Sequence, residues 1–444
     1  MQTLPGTYSV INRRLIGRVA CLAVVSLSVF FLQLRDVVWS QNAGSNSAEP
    51  ITNDWPQFLG PHRNGIANET ELLKRWPDGG PREVWRVAGG VGMSGLAVAN
   101  GRLVTLLQRD GRQRIVVFDP QTGSTIRDIP FAREYKNSMG HGPRATPTLV
   151  GDMAYAFSGE GILLGVELGN GRIVWEHNVV KEFKGKPADY GMACSPLVVG
   201  DTVLVTAGAP DATVVAFDRK TGDHKWSAGK NSPAGYSSPA LLNVAGEQQL
   251  VVFSGNSVAG VSPSSGKPLW SFDYETDFDC NIATPLAFKG QVFIASGENH
   301  GCALLAVNSD GGNYDTRAVW TSFGPSSVMR NEWQTSVLLD GHLFGFDNVG
   351  SAGPVTHLNC VEISTGKKVW QEKRFGKGNL IAADGKLWIS TMKGELVVVR
   401  ADPKQFEEIG RKKVLDSTRQ MPSLAGGLLY LRDDREIVCL DIRD

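Results

Sequence analysis

Three stretches of the chain place cationic, acidic and aromatic side chains within a few residues of one another: HGPR from His141, DYGM from Asp189 and MRNEWQ from Met329. An imidazole beside a guanidinium can hold an anionic or polyhydroxylated ligand, and an indole can stack on a sugar ring or an aromatic group. This chemistry makes the three stretches candidate binding loops. The residues that carry it are His141, Arg144, Tyr190, Glu332, Trp333 and Gln334.

Two further pairs of residues offer side-chain oxygens, which are the ligands that a hard cation such as calcium prefers. They are Glu298-Asn299 and Asp347-Asn348, and each pair falls in a loop between two predicted strands. The alternative is an ordinary turn, because Asp, Asn and Gly are common in loops. Calcium is kept as an alternative and no metal site is predicted, since the histidines are also too dispersed for a metal triad.

Other chemistries find no support in the sequence. No GxSxG turn presents a serine nucleophile, and no CxxCH motif could attach haem. No CxxC pair occurs among the six cysteines, so a zinc site is not expected, and Cys280 and Cys302 either bridge one blade or stay as buried thiols. Lys+Arg and Asp+Glu each number 45, and this balance speaks against a nucleic-acid partner.

The elements that must position these residues are visible in an internal repeat. The stretch FDRKTGDHKW from Phe217 returns in altered form from Phe118, Val166, Val261 and Val361. A Gly with positive φ after a polar turn is typical of a tight hairpin, and the Trp found in most copies can fill a gap between stacked sheets. His224 of FDRKTGDHKW has no counterpart in the other copies, so the stretch is predicted to have a structural role.

A second recurring element joins two apolar runs by Asn-Gly, Asp-Gly or a similar turn, as in GLAVANGRLVTL from Gly95. With the Gly-Trp hairpin it makes four antiparallel strands, so the sequence predicts an all-β fold, an eight-bladed β-propeller. The last unit ends with IVCLDI from Ile437 and lacks a fourth strand. We expect Glu83–Val87 to supply that strand and close the ring, the alternative being an open array.

Residues 1–40 are predicted to be a signal peptide or an uncleaved signal anchor, because a basic region precedes an apolar run. Export to the periplasm or cell envelope is therefore expected, with membrane contact only through this segment. Residues 41–82 are predicted to be a polar linker followed by an irregular approach segment that lies against the folded body. Residues 83–444 are predicted to be the propeller, and a monomer is expected.

The TG turns, the S/T-P-x-x-V inner strands and the segment WPQFLGP from Trp55 resemble the pyrroloquinoline-quinone-like (PQQ-like) β-propeller repeat family. The resemblance implies an eight-bladed propeller but no single function, because the family includes calcium- and quinone-dependent alcohol dehydrogenases and a scaffold lipoprotein of outer-membrane barrel assembly. The quinone enzymes are expected to carry adjacent cysteines over the cofactor, with Glu, Asn and Asp around calcium. No two cysteines of this chain are adjacent.

Strong repeats without a catalytic constellation predict an exported, non-catalytic binding or scaffold propeller that recognises a protein or glycan with its loop face. No resident cofactor is then expected. In this setting Arg144 can instead be a structural residue that bonds loop carbonyls, and Trp333 can instead pack at the channel mouth. The alternatives are a PQQ-dependent dehydrogenase of alcohols or polyols, and a polysaccharide-active hydrolase or lyase built on His141, Arg144, Glu332 and Trp333.

Overall fold

The structure is a computed structural model that describes residues 53–351 and 353–444. Its thirty-two strands form eight antiparallel sheets of four strands each, which are the blades of a propeller. The predicted all-β, eight-bladed architecture is therefore confirmed. The predicted leader and residues 41–52 of the predicted linker lie outside the described residues. Within the described ranges, no helix combines the length and apolar character needed to cross a bilayer.

Strands are numbered in chain order, and each blade runs from an inner strand beside the channel to an outer strand. Blades one to four consist of β2 Leu96–Ala99, β3 Arg102–Arg109, β4 Arg112–Phe118 and β5 Thr125–Arg133; β6 Thr148–Val150, β7 Met153–Phe157, β8 Ile162–Glu167 and β9 Ile173–Asn178; β10 Leu197–Val199, β11 Thr202–Ala209, β12 Ala212–Asp218 and β13 His224–Ala228; and β14 Ala240–Val244, β15 Glu247–Phe253, β16 Ser257–Val261 and β17 Pro268–Asp273.

Blades five to eight consist of β18 Leu286–Phe288, β19 Gln291–Ser296, β20 Gly301–Asp310 and β21 Asn313–Phe323; β22 Val337–Leu339, β23 His342–Val349, β24 Val355–Glu362 and β25 Lys367–Glu372; β26 Gly378–Ala383, β27 Lys386–Thr391, β28 Glu395–Arg400 and β29 Glu408–Lys413; and β30 Ser423–Ala425, β31 Leu428–Arg432, β32 Glu436–Asp441 and β1 Arg82–Ala88. The short helix α1 spans Val179–Glu182, and 3-10 turns lie at Asp277–Asp279 and Gly324–Ser326.

The hydrophobic core lies between neighbouring blades. Inner strands such as β2 and β26 are buried along their whole length, whereas the outer strand β21 alternates between exposed and half-buried residues. This difference follows from position, because an inner strand is covered on both faces and an outer strand borders solvent. Apolar clusters accordingly join residues of adjacent blades, as between blades one and two.

The recurring tryptophan fills the gap between blades, as predicted. Trp175 of β9 is buried, and its indole N–H donates to the carbonyl of Arg219 in the next blade at 3.1 Å. Gly222, from the turn of that next blade, lies against the ring with φ +81°. Trp85 and Gly123 repeat the arrangement. The Gly-Trp pattern is therefore an interlock between blades, which explains its recurrence.

We expect Gly222→Ala to lower the free energy of unfolding by about 1–2 kcal/mol more than Gly341→Ala does. Both glycines have a positive φ, +81° and +77°, so an alanine would strain the backbone by a similar amount at either position. A Cβ on Gly222 would lie 2.7 Å from the indole of Trp175, whereas a Cβ on Gly341 would have no neighbour within 4 Å. Urea unfolding of both variants measures the difference, and equal losses would contradict the interlock.

The ring closes without a covalent bond between its ends. Strand β1 pairs antiparallel with β32, with Arg82 opposite Asp441 and Trp85 opposite Cys439. The pairing shifts by a bulge between Glu83 and Trp85. The predicted closure by Glu83–Val87 is thus confirmed, and blade eight is completed by a strand from the other end of the described chain.

Residues 54–67, which we call the strap, cross the channel on the face of the tight turns. Trp55 exchanges hydrogen bonds with Val98 of blade one at 2.8 and 2.7 Å, and Ala67 donates to Ala382 of blade seven at 2.9 Å. Between these points Arg63 is buried in the channel, where its guanidinium donates to carbonyls just before the inner strands of blades three and four. The strap therefore plugs one end of the channel.

Candidate functional site

The other end of the channel opens into a cavity of about 320 Å³. Its floor includes Phe58 of the strap, and most of its wall is apolar. The wall is built by loops that enter the inner strands and by turns between second and third strands, which meet at this face. The residues that line it are Phe58, Met93, Gly95, Met139, Arg144, Thr146, Tyr190, Ala193, Ser195, Tyr236, Ser238, Phe278, Cys280, Ile282, Glu298, Glu332, Trp333, Thr335, Ser351, Asn379, Arg419 and Met421.

A chain of hydrogen bonds fixes the inner rim of the cavity. The amide of Gly95 donates to the hydroxyl of Thr146 at 3.0 Å, the amide of Thr146 to Ser195 at 2.9 Å, and the amide of Ser195 to Ser238 at 2.9 Å. Each bond joins one blade to the next. Because these amides and hydroxyls already satisfy one another, the rim holds its shape without a ligand.

The wall near blades three and four is aromatic. The rings of Tyr190 and Tyr236 stack with centroids 5.8 Å apart, and the backbone N–H of Tyr190 donates to the Tyr236 hydroxyl at 3.2 Å. Burial raises the pKa of the Tyr236 phenol. Both rings are thus uncharged surfaces near neutral pH, suited to packing against an apolar group.

Phe278 forms an exposed lip of the cavity. Its side chain is 60% exposed, and the backbone has positive φ at both Phe278 and Asp279, at 60° and 54°. Beneath the lip, burial raises the pKa of the Cys280 thiol to about 12, with a further contribution from nearby carboxylates that include Glu298. Cys280 is therefore a protonated thiol at neutral pH and not an activated nucleophile.

Glu332 is held in a buried ion pair and is not a free acid. Its carboxylate lies 2.8 and 2.9 Å from the ammonium of Lys377, and only 3% of the residue is exposed. Burial raises the pKa of Glu332, and the pairing with Lys377 opposes that shift. The ammonium of Lys377 and the guanidinium of Arg419 lie 4.6 and 5.2 Å from the centroid of the Trp333 ring. Trp333 therefore packs against cations at the channel mouth while it lines the cavity.

Arg144 lines the cavity, but its donors are engaged within the loops. Nε donates to the carbonyl of Tyr190 at 2.8 Å, and the two terminal nitrogens donate to Gly140 at 2.7 Å and to Gly142. The guanidinium also lies 4.5 Å from the centroid of the Tyr135 ring. These contacts match the structural alternative for Arg144, in which the residue bonds loop carbonyls.

The prediction that Asp347 and Asn348 lie in a loop was wrong, because both are buried inside strand β23 of blade six, and neither lines the cavity. Both carboxylate oxygens of Asp347 accept from the guanidinium of Arg330, at 2.6 and 2.9 Å. The Asn348 side chain donates to the Arg330 carbonyl at 2.8 Å, and the amide of Gln334 reaches the Phe346 carbonyl at 3.5 Å. These three predicted binding residues therefore support the loop rather than face a ligand.

Glu298 and Asn299 lie beside the loop that follows Asp347 and Asn348. The carboxylate of Glu298 accepts from the Ser351 hydroxyl at 2.6 Å, and the amide oxygen of Asn299 accepts from the Gly350 N–H at 2.9 Å. The oxygens thus tie two turns together. Of the two pairs, Glu298 is the residue that lines the cavity.

His141 belongs to a second cavity of about 260 Å³ beside the first. Its Nδ1 accepts from the backbone N–H of Asn137 at 3.2 Å. His300 lies elsewhere, with its ring 4.4 Å from that of Tyr274. Among residues 53–351 and 353–444, no group of three or more His, Cys, Asp or Glu side chains is arranged to hold a metal ion.

The residues present do not fit the quinone and calcium that the family resemblance implies for its dehydrogenases. Cys280 and Cys302 are separate, buried free thiols, so the unbridged alternative holds for this pair. The carboxylate of Asp347, which would have to serve a cation, is neutralised by Arg330. We therefore derive no chemistry through either group.

Several cavity residues were not identified from the sequence. Phe58, Met93, Met139, Phe278 and Met421 supply much of the apolar wall. Most of them directly precede an inner strand or lie in the loop that enters one, and this position is the signal that could have found them. Phe58 could not be found in this way, because it comes from the strap.

Comparison with known proteins gives a consistent set of relatives. The chain is 22% identical to tetrathionate hydrolase of Acidithiobacillus ferrooxidans over 405 residues, which are 88% of this chain and 60% of that protein. It is 27% identical to outer membrane protein assembly factor BamB of Bordetella pertussis over 256 residues, which are 56% of this chain and 59% of that protein. The chain thus spans about three fifths of the length of these curated relatives.

Solved structures share the fold at low sequence identity. BamB from Moraxella catarrhalis superposes with a TM-score of 0.57 at 13% identity, covering 81% of this chain and 99% of that one. Quinohemoprotein alcohol dehydrogenase from Comamonas testosteroni superposes with a TM-score of 0.63 at 12% identity, covering 88% and 81%. At such identities the likeness concerns the fold alone.

The sequence model of one family matches most of the chain. That model is described as outer membrane protein assembly factor BamB, and it matches residues 77–182 and 111–372, which together exceed half of the chain. The predicted membership of the PQQ-like propeller repeats is confirmed by this match. The chain belongs to the family of outer membrane protein assembly factor BamB.

Proposed function

We propose that this chain is an exported, non-catalytic binding propeller that captures an exposed segment of a partner protein in the cavity of its loop face. The observation that carries the proposal is the cavity itself, which is open, apolar and about 320 Å³ in volume. That volume lies at the lower end of the roughly 300–1,000 Å³ typical of ligand pockets. It suits one or two apolar side chains.

The chemistry of the cavity favours binding over catalysis. A catalytic site needs an available acid, base or nucleophile. Here Glu332 is paired with Lys377, Arg144 is engaged by carbonyls, and the Cys280 thiol is protonated. These residues therefore give no support for a dehydrogenase or a polysaccharide hydrolase.

The wall also favours protein over glycan. Met93, Met139 and Met421 contribute flexible apolar side chains, which can adapt to different partner side chains. The ring of Trp333, which could have stacked on a sugar, is already contacted by two cations. Relatives named for the assembly of outer membrane proteins are in keeping with a protein partner and with a cell-envelope location.

A selection from a random peptide library, with the full chain as bait, tests the proposal. We expect the enriched peptides to carry apolar side chains and to lose at least about tenfold in affinity for Phe278→Ser and for Met139→Ser, as for buried contacts at an interface centre. Both residues are exposed, at 60% and 37%, so the substitutions should leave the fold intact.

Val369→Ser is the matched control, because Val369 is 43% exposed and lies on the outer strand β25. Peptides that bind all four proteins equally would overturn the proposal, as would a selection that enriches nothing. Turnover of an alcohol in the presence of added quinone and calcium would overturn its non-catalytic part.

A further inference from the structure

The charges around the cavity lie on two different sides of the ring. Of the charged residues that line the cavity, Glu298 and Glu332 come from loops of blades five and six, and Arg144 and Arg419 from loops that enter blades two and eight. Asp189 and Asp279 stand next to the lining residues Tyr190 and Phe278 in the sequence, and Lys377 pairs with Glu332. The cavity is therefore a polarised cup and not a uniformly charged one.

The two sides differ in how far their hydrogen-bonding groups are already used within the described residues. Lys377 is paired with Glu332, and Arg144 and Arg419 donate to loop carbonyls, Arg419 to that of Met139 at 2.7 Å. On the acidic side, no cation of the described residues lies within ion-pair distance of Asp189 or Asp279. Among the described residues, the carboxylates of Asp189 and Asp279 thus keep their charge without a cationic partner.

The same rim carries the exposed apolar lip. Phe278 is 60% exposed and lies between Asp277 and Asp279 in the sequence. Burial, followed by repulsion from Asp189 and Glu275, raises the pKa of the Asp279 carboxyl. A cation placed at this rim would relieve that repulsion, while an apolar group beside it could pack on Phe278 and enter the cavity.

We propose that the segment captured by the cavity carries an apolar side chain that enters the cup and a neighbouring lysine or arginine that pairs with Asp189 and Asp279. This inference rests on the proposed function and names the chemistry of its partner. Acidic segments are disfavoured, because their carboxylates would face like charges at the rim.

Matched short peptides test the inference, each with a central phenylalanine flanked by lysine, by serine or by glutamate. We measure their binding to the full chain by fluorescence anisotropy, at low salt and at about 0.15 M salt. At low salt the lysine peptide should bind roughly tenfold tighter than the glutamate peptide, with the serine peptide between them. This preference should shrink as salt screens the rim charges.

The double variant Asp189→Asn/Asp279→Asn should reduce the lysine preference to roughly twofold and leave the serine peptide nearly unchanged. Asparagine tolerates the positive φ of Asp279, so the lip should keep its backbone. The control variant Asp223→Asn/Asp340→Asn removes two carboxylates from turns on the opposite face and should keep the full preference.

The outcomes separate this inference from the proposed function. If all three peptides bind equally and all lose affinity with Phe278→Ser, the cavity binds proteins but the charge inference is wrong. A lysine preference that survives Asp189→Asn/Asp279→Asn would also overturn the inference. If no peptide binds in a manner that depends on Phe278, both the inference and the proposed function fail.

Discussion

Arg63→Met is expected to lower the free energy of unfolding by about 3–5 kcal/mol, because several buried carbonyls lose their donor at once. The guanidinium of Arg63 donates to the carbonyls of Ser195 and Pro239, each at 3.1 Å, and to that of Pro196. Burial lowers its pKa to about 10, so the group stays charged at neutral pH. Methionine has a similar length but offers no donor.

Urea unfolding followed by circular dichroism measures this loss. Arg63→Lys should fall between the wild type and Arg63→Met, since an ammonium keeps the charge but cannot span the same carbonyls. Arg172→Met is the control, because Arg172 pairs with Glu167 at the surface and its removal should cost less than about 1 kcal/mol. Equal stability of Arg63→Met and Arg172→Met would mean that the plug does not hold the channel together.

Trp85→Ala is expected to cost about 3–5 kcal/mol and to loosen the closure of the ring. Trp85 is buried between blades eight and one, donates to the Pro120 carbonyl at 2.9 Å, and lies 5.9 Å from the Tyr430 ring, centroid to centroid. It is also the one interlock tryptophan on the strand that closes the described ring, β1. Because Trp85 also packs on Tyr430 of β31, its loss weakens the attachment of β1 to the rest of blade eight, where the pairing of β1 with β32 is not covalent.

Limited trypsin digestion separates the two effects of Trp85→Ala. Lys74 and Arg75 are exposed just before β1, so local opening of β1 should speed cleavage there in the native state. Trp175→Ala removes an equivalent interlock between blades two and three and should cost a similar free energy of unfolding. It should speed cleavage at Lys74 and Arg75 only through global unfolding, and equal rates in the two variants would contradict the weakened attachment of β1.

The fold could be predicted from the sequence because its signals are local. A glycine turn and the tryptophan that follows it fix a hairpin within ten residues, and the repetition of the two apolar runs that accompany it gives the number of blades. The fourth strand of blade eight was found for the same reason, since Trp85 stands at the repeat position. Such repeats can be recognised in the sequence without knowing which distant residues are in contact.

The candidate site was harder to predict from the sequence, because its contacts join loops whose sequences do not repeat. Asp347 looked like a calcium ligand, yet its partner Arg330 lies on the loop that enters the same blade. Nothing in the sequence indicated that Arg63 would enter the channel and meet carbonyls more than a hundred residues away. Phe278 was missed because a single aromatic residue in an acidic loop belongs to no pattern.

The pairing of β1 with β32 has a consequence for the order in which the molecule can be completed. Arg82 of β1 pairs with Asp441 of β32, which lies 359 residues later in the chain. Strand β1 therefore stays unpaired until almost the whole propeller has been synthesised. Such non-local pairing makes a late and slow folding step. Until then the blades that have already formed keep open edges, which invite pairing with other chains. If the chain crossed a membrane with its amino-terminal end first, β1 would stay unpaired until β32 had also crossed.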